Sequence, residues 1–413
     1  MKIEINNNLH LTYCTNIHPG EDWEKVFNNL KEYVPSLKAR LAPNQTFGIG
    51  LRLAEVAARE LLKENTLTQF QSWLTEQNLY VFTLNGFPYG QFHYQVVKDQ
   101  VYAPDWSKQE RLDYTLQLTT ILAKLLPDDM EGSISTLPLS YKPWFKGNEF
   151  LQASVKDKAS LHIARVVAKM VHIYAKTGKL LHLDLEPEPD GLIENAVEVI
   201  DYFKKHLLPI GGAYLADYLQ ISRAQAETNL LNHVRICYDT CHFAVEYENP
   251  ITVFKQFQSV GIQIGKIQIS AALRVNIPED IKQRRLVWQR LLPFAESTYL
   301  HQVIARDVDG RLHHYSDLET ALPSLENTTD NEWRIHFHVP IFVQDYQLLQ
   351  STQKDIVTVL EMLQKQDFCN HLEIETYTWE VLPEEMKLDL LTSLQREYEW
   401  VISQLLAKSL VAS

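Results

Sequence analysis

Eight short runs of strand-forming residues, spaced along the chain with helical patterns between them, limit its fold more than any other feature. They lie at 11–15, 47–51, 79–84, Gly132–Thr136, Leu181–Leu185, 234–238, 262–270 and 372–377. After the first run, Trp23, Val26, Phe27, Leu30 and Val34 recur at helical spacing. Strands that alternate with helices must run parallel, because each crossover returns the chain to the same edge of the sheet. Eight such units predict an α/β fold, a (β/α)8 TIM barrel. A doubly wound open sheet is the alternative, but no glycine-rich phosphate loop follows any strand. With 413 residues the chain reads as one barrel domain over 1–413. Residues 271–370, between strands seven and eight, form an insertion with a basic helical run at 278–292 and strands at 300–306 and 333–339. Its two strands are expected to form a hairpin over the C-terminal mouth of the barrel, with His336 or His338 turned toward the pocket. A segment of this length inside a compact domain usually serves as a lid. Gly48 and Gly50 in the second strand predict close packing or close approach of a ligand.

Composition excludes several classes of function. Apolar residues make up 45% and charged residues 22%, as in ordinary globular proteins. A net charge of −13 opposes phosphate backbones, so no nucleic-acid partner is expected. The four cysteines are too few and too scattered for a disulfide framework. The amino end lacks the apolar core of a leader peptide, and no run has the length of a membrane span. These features point to a cytoplasmic protein whose partner is a small-molecule metabolite.

The chemistry is expected where strands end. Strand five runs through His182 and Asp184 to Glu186 and stops at Pro187-Glu188-Pro189, since neither proline can donate to a ladder. Strand six delivers Asp239, with His242 three residues later; strand seven carries Lys266, Gln268 and Ser270; the last carries His371, Glu373 and Glu375. A barrel gathers such strand ends into one pocket. Carboxylates brought together repel and hold protons unless a cation neutralises them. Glu186, Asp239, Gln268 and Glu375 are therefore candidate ligands of a divalent metal. An oxygen-rich set with an amide suits Mg²⁺ or Mn²⁺, whereas an added imidazole favours Mn²⁺ or Zn²⁺. His336 and His338, on one strand face, could supply that imidazole. Glu186, Glu375 and His242 are the candidate catalytic groups. Asn85, His93, Glu188, His336 and His338 are candidates for substrate contact. Taken singly, each carboxylate could instead cap a helix or form a salt bridge. Cys237 and Cys241 read as packed thiols, and His18 as a packing residue.

These strand ends resemble the xylose isomerase-like TIM barrels, whose epimerase branch binds a divalent metal through Glu, Asp, His and Glu on strands five to eight. Glu186, Asp239 and Glu375 match that pattern, and His242 matches its substrate-binding histidine; Gln268 stands where the pattern has His. That departure counts against ordinary isomerase activity. LTYCTNIHPGE, HLDLEPEPDG, CYDTCH and HFHVP, with LNGFPYG before its FH, together resemble the EboE-type metabolite traffic proteins of the bacterial ebo cluster. This implies a role in processing or trafficking a secondary metabolite, with other ebo-cluster proteins as partners. Two functions follow as expectations. One is a metal-dependent isomerase- or epimerase-like enzyme on a polyhydroxylated or carbonyl substrate. The other is a non-catalytic carrier that retains the pocket. A repair nuclease of the endonuclease IV type would need a histidine-rich three-metal centre and a basic groove, which the charge opposes.

Overall fold

A computed structural model describes residues 1–407 except 6, 92, 94–95, 380–381, 383 and 385–386. Its eight barrel strands are Asn7–Tyr13, Phe47–Arg52, Leu79–Asn85, Gly132–Thr136, Leu181–Leu185, Val234–Asp239, Ile264–Ile269 and His371–Ile374. From strand two to strand eight each pairs in parallel with the next, and strand eight lies between strands one and seven. Strands five and six are neighbours, with Leu183 opposite Val234. Strands one and two close the ring through a parallel bridge between Cys14 and Gly50. The Thr12 hydroxyl reinforces the seam by donating to the Gly48 carbonyl at 3.0 Å and accepting from the Gly50 N–H at 2.8 Å. The fold is a (β/α)8 barrel, as the alternation of elements requires.

Side-chain volume explains the Gly48 and Gly50 pattern without a ligand. A Cβ on Gly50 would lie 1.9 Å from the Glu373 Oε1, and one on Gly48 2.7 Å from the Phe82 ring. Gly265 does the same for Asp184, whose Oδ1 would sit 2.2 Å from an added Cβ. Barrel interiors are usually filled by branched apolar residues; here glycines make room for buried acids. Each acid has a partner: His182 Nδ1 is 2.6 Å from Asp184 Oδ1, and the Lys266 ammonium donates to Glu373 Oε2 at 2.5 Å. The polar parity of strand five therefore faces the barrel axis.

The helices follow local signals. Asp22 caps the helix Trp23–Leu41 by accepting from the Lys25 N–H, and buried Val34 and Leu37 carry that helix past Pro35. Gly178 ends Glu149–Thr177 in the left-handed conformation at φ 73°, which glycine adopts without a Cβ clash. None of the described helices is long and apolar enough to cross a membrane. The strand Lys2–Ile5 pairs antiparallel with strand one and adds a ninth strand to the sheet.

The segment between strands seven and eight builds its own antiparallel sheet. Val303–Asp307 and Asp330–Val339 are neighbours, as the hairpin expectation requires, with Val303 opposite Ile335. The hairpin is part of something larger: six strands, including Ala271–Asn276, which continues directly from strand seven and pairs with Asp330–Val339. The break in strand pattern after Ser270 is thus a change of sheet. Between Ile335 and Val339 the register shifts, so that three residues face one. Bulges of this kind re-aim side chains, and this one carries His336 and His338.

Candidate metal centre

Strand five stops at Glu186, whose N–H donates to the Thr136 carbonyl at 3.0 Å, and the two prolines turn the chain so that Glu188 also faces inward. Strand six stops at Asp239, the N-cap of the short helix Thr240–Val245. Asp239 Oδ1 accepts from the N–H groups of Cys241 (2.7 Å) and His242 (3.1 Å) and from the Ser270 hydroxyl (2.6 Å). Its second oxygen finds no hydrogen-bond partner among the described residues. Glu375, just beyond strand eight, is held on both sides. Oε1 accepts from Asn16 (2.8 Å) and Asn85 (3.2 Å), and Oε2 accepts from the Gln268 amide.

Oxygen atoms of Glu186, Asp239 and Glu375 all lie within 4.8 Å of one another, so the three strand ends do converge. Gln268 is engaged at both ends: its amide nitrogen serves Glu375 and its oxygen accepts from the Cys237 thiol at 2.5 Å. The amide that sequence proposed as a ligand is thereby turned toward its neighbours.

Three histidines close the other side. Nδ1 of His338 lies 2.7 Å from the Glu375 carbonyl oxygen, Nδ1 of His336 2.9 Å from Gln302 Oε1, and Nδ1 of His242 3.2 Å from the Pro187 oxygen. Each partner is an acceptor, so each ring carries its proton on Nδ1 and presents the Nε2 lone pair. Metal-binding histidines are commonly oriented in this way. The Nε2 atoms of His336 and His338 are buried and find no hydrogen-bond partner among the described residues. His242 Nε2 is 3.8 Å from Glu188 Oε2 and 3.9 Å from Asp239 Oδ2.

A cavity of about 590 Å³, counted to its open mouth, contains Glu186, Glu188, His242, Glu375 and both insertion histidines in its lining. Asn85 lines it as well, whereas His93 does not; that ring is buried near Arg52 and His18. His18 stacks on Tyr33 at 4.5 Å, a packing role. Phe87, Tyr102, Tyr299 and Tyr377 also line the cavity. Asn16 and Gln302 escape a sequence reading. Asn16 had only its place beyond a strand end, and Gln302 is set against His336 by strand pairing, which no local pattern reveals.

Burial, with the neighbouring Asp239 charge, pushes Glu186 well above its ordinary 4.5, and burial with Glu186 and Asp239 does the same to Glu375. Burial holds His242, His336 and His338 below 6.5. Without a cation, the folded carboxyl groups keep protons that the unfolded chain releases, so their contribution to stability falls as pH rises above 4.5. The histidines act oppositely: the unfolded chain protonates them near 6.5 while the folded one does not, so stability falls as pH drops through that value. Metal uptake requires deprotonated carboxylates. Affinity for Mn²⁺ is therefore expected to climb as pH rises from 4.5, and calorimetry in buffers of different ionisation enthalpy should detect proton release on binding. A pH-independent affinity would contradict this.

No family model matches the chain, and no curated protein matches it. Solved structures do. One is the probable 3-DHS dehydratase AsbF of Bacillus anthracis, involved in petrobactin synthesis, at 11% identity over 95% of this chain and 98% of that one, TM-score 0.43. Another is the IolI protein with a bound zinc atom, at 12% over 96% and 99%, TM-score 0.44. A xylose isomerase domain protein of Salmonella typhimurium shares 10% over 98% and 99%, TM-score 0.42. At these values the likeness is one of general shape. The fold rests on strand order, and the chemistry on this chain's own residues.

Proposed function

We propose that this protein is a divalent-metal-dependent enzyme of isomerase or epimerase type, acting on a small polyhydroxylated or carbonyl-bearing metabolite. One observation carries the reading: buried carboxylate oxygens and imidazole Nε2 atoms that find no hydrogen-bond partner among the described residues lie close together in a single cavity. Burying such groups unpaired is costly, and a cation removes the cost. Glu186, Asp239 and Glu375 would hold the ion, with His338 of the insertion taking the place left by Gln268. Three carboxylates and an imidazole suit Mn²⁺ or Zn²⁺ better than Mg²⁺. When bound, the ion would polarise a substrate carbonyl.

The protein's own groups divide the remaining work. Glu186 keeps one oxygen with no hydrogen-bond partner among the described residues, and through that oxygen it would remove the proton from the carbon beside the carbonyl and return it. Glu375 is fixed by Asn16, Asn85 and Gln268 and acts as a rigid ligand. Glu188, against Tyr102, is placed to hydrogen-bond substrate hydroxyls. The aromatic lining residues and the insertion sheet limit water. The motif set shared with the EboE-type proteins supports a place in secondary-metabolite processing or trafficking, in the cytoplasm and alongside other ebo-cluster proteins.

The test is deuterium exchange. Protein loaded with Mn²⁺ or Zn²⁺ is incubated in D₂O with a panel of aldoses, ketoses and hydroxyketones, and proton NMR follows the C–H next to the carbonyl. Exchange that a chelator abolishes supports the enzyme. Ligand binding without exchange would favour the carrier. The variant His338→Ala should bind metal at least about 10-fold more weakly, a loss seen even when groups that merely orient ligands are removed. Its circular dichroism should match that of the parent. Unchanged affinity would remove the insertion from the centre.

A further inference from the structure

The cavity lining has two characters. Carboxylates and imidazoles supply one; the other is apolar and comes from Phe87, Pro88, Val97, Val101 and Leu300. We infer that the substrate of the proposed function, on which this inference rests, is an aryl-bearing hydroxyketone rather than a free sugar, with its ring against Phe87, Val97, Val101 and Leu300.

Two segments supply most of the apolar part, and the backbone ties them together. Val97 and Val101 lie at and within the helical turn Lys98–Tyr102, and Leu300 belongs to the insertion. The Val97 N–H donates to the Thr298 carbonyl at 2.8 Å, and the Lys98 N–H reaches the same oxygen at 3.2 Å. The Lys98 ammonium is taken by Asp317 of the insertion at 2.7 Å. The clasp therefore offers a ligand apolar surface in place of charge. Aromatic side chains connect that surface to the polar groups. The Tyr377 ring lies 4.8 Å from that of His338, and Tyr102 hydrogen-bonds Glu188. Tyr377 meets Tyr299 edge-on at 5.4 Å, and Phe87 meets Tyr102 in the same way at 5.7 Å. Edge-to-face contact is the favoured arrangement of rings, and a ligand ring can extend it.

A sugar fits such a lining poorly. It carries a hydroxyl on nearly every carbon, and a hydroxyl buried without a partner costs free energy. Phe87, Pro88, Val97, Val101 and Leu300 have no side-chain donor or acceptor to offer. An aryl ring asks for none and gains by leaving water. The volume of about 590 Å³, counted to the open mouth, is in the range of pockets that enclose drug-sized ligands. On phenylacetylcarbinol the reaction would move the carbonyl by one carbon. The proton on the hydroxyl-bearing carbon goes to Glu186 and returns to the neighbouring carbon. The hydroxyl proton passes from one oxygen to the other, so that the isomer with its carbonyl beside the ring forms without oxidant or reductant.

Mn²⁺-loaded full-length protein is titrated by calorimetry with phenylacetylcarbinol and with acetoin, which has a methyl group in place of the ring. The aryl compound should bind at least about 10-fold more tightly, the least expected from burying a ring instead of a methyl group. Val101 and Leu300 are only half-buried, so polar replacements are compatible with the fold. The double variant Val101→Ser, Leu300→Ser should lose most of that preference while its metal content and circular dichroism match those of the parent. Equal affinities in the parent, or a preference that survives in the double variant, would overturn the inference and leave the proposed function standing. Proton NMR in D₂O reads catalysis separately: tight binding of the aryl compound with no exchange of either ligand would keep the ligand class and overturn the enzyme.

Discussion

Asp239→Asn is expected to lower metal affinity by more than about 100-fold, beyond the loss seen for groups that only orient ligands, and to abolish substrate exchange, while the fold survives. The two oxygens of Asp239 have different duties. Oδ1 caps Thr240–Val245 and takes the Ser270 hydroxyl. Oδ2 is buried beside the other carboxylates and finds no hydrogen-bond partner among the described residues. Asparagine can keep the first duty through its amide oxygen, but its NH₂ cannot ligate a cation. The metal-free variant should be no less stable than the parent, because a buried like charge has been removed. Calorimetric titration with Mn²⁺ and a thermal melt check both halves; a variant that still binds metal tightly would displace Asp239 from the centre.

Lys266→Met should destabilise the protein by about 3–5 kcal/mol, the usual result of leaving one partner of a buried ion pair alone. The ammonium is fully buried, bonded to Glu373 and to the Ser135 hydroxyl at 3.0 Å. Methionine fills the space but leaves the Glu373 carboxylate inside the barrel with no cation. Pairing it with Glu373→Gln should recover much of the loss, since the uncompensated charge is then gone. Denaturant midpoints of the parent, the single variants and the double variant measure the coupling; additive losses would mean that the pair is not an energetic unit. The substitution also reaches the site, because the Lys266 charge draws the pKa values of Glu186 and Glu375 downward. Without it their protons bind more tightly, and metal uptake should require a higher pH.

Periodicity made the barrel legible. Leu181–Leu185 and Gly132–Thr136 have the expected bounds, and the others shift by a few residues at their ends. Glu186, Asp239 and Glu375 could be named because a strand end in a barrel fixes where a side chain goes. What stayed hidden depends on tertiary pairing. Ala271–Asn276 looked like a break in pattern because its sheet partners lie some sixty residues later, at Glu332–Ile335. His182 and Asp184 face the barrel interior, and only Gly265, two strands away on strand seven, reveals the space for Asp184. Gln268 looked like a ligand by position; its neighbours Cys237 and Glu375 decide which way the amide turns. His336 and His338 could be named, but their turn into the cavity depends on a bulge set by register with Ala271–Leu273.

The central claim is that the strand-end carboxylates, completed by an imidazole from the insertion, hold a divalent ion. Anomalous diffraction above the zinc or manganese absorption edge, from crystals grown with that ion and without chelator, tests it most directly. A peak is predicted between Glu186, Asp239, Glu375 and the Nε2 of His338, with ligand distances of about 2.0–2.2 Å for zinc. No peak among these carboxylates, or one coordinated by the Gln268 oxygen with His338 turned away, would contradict it.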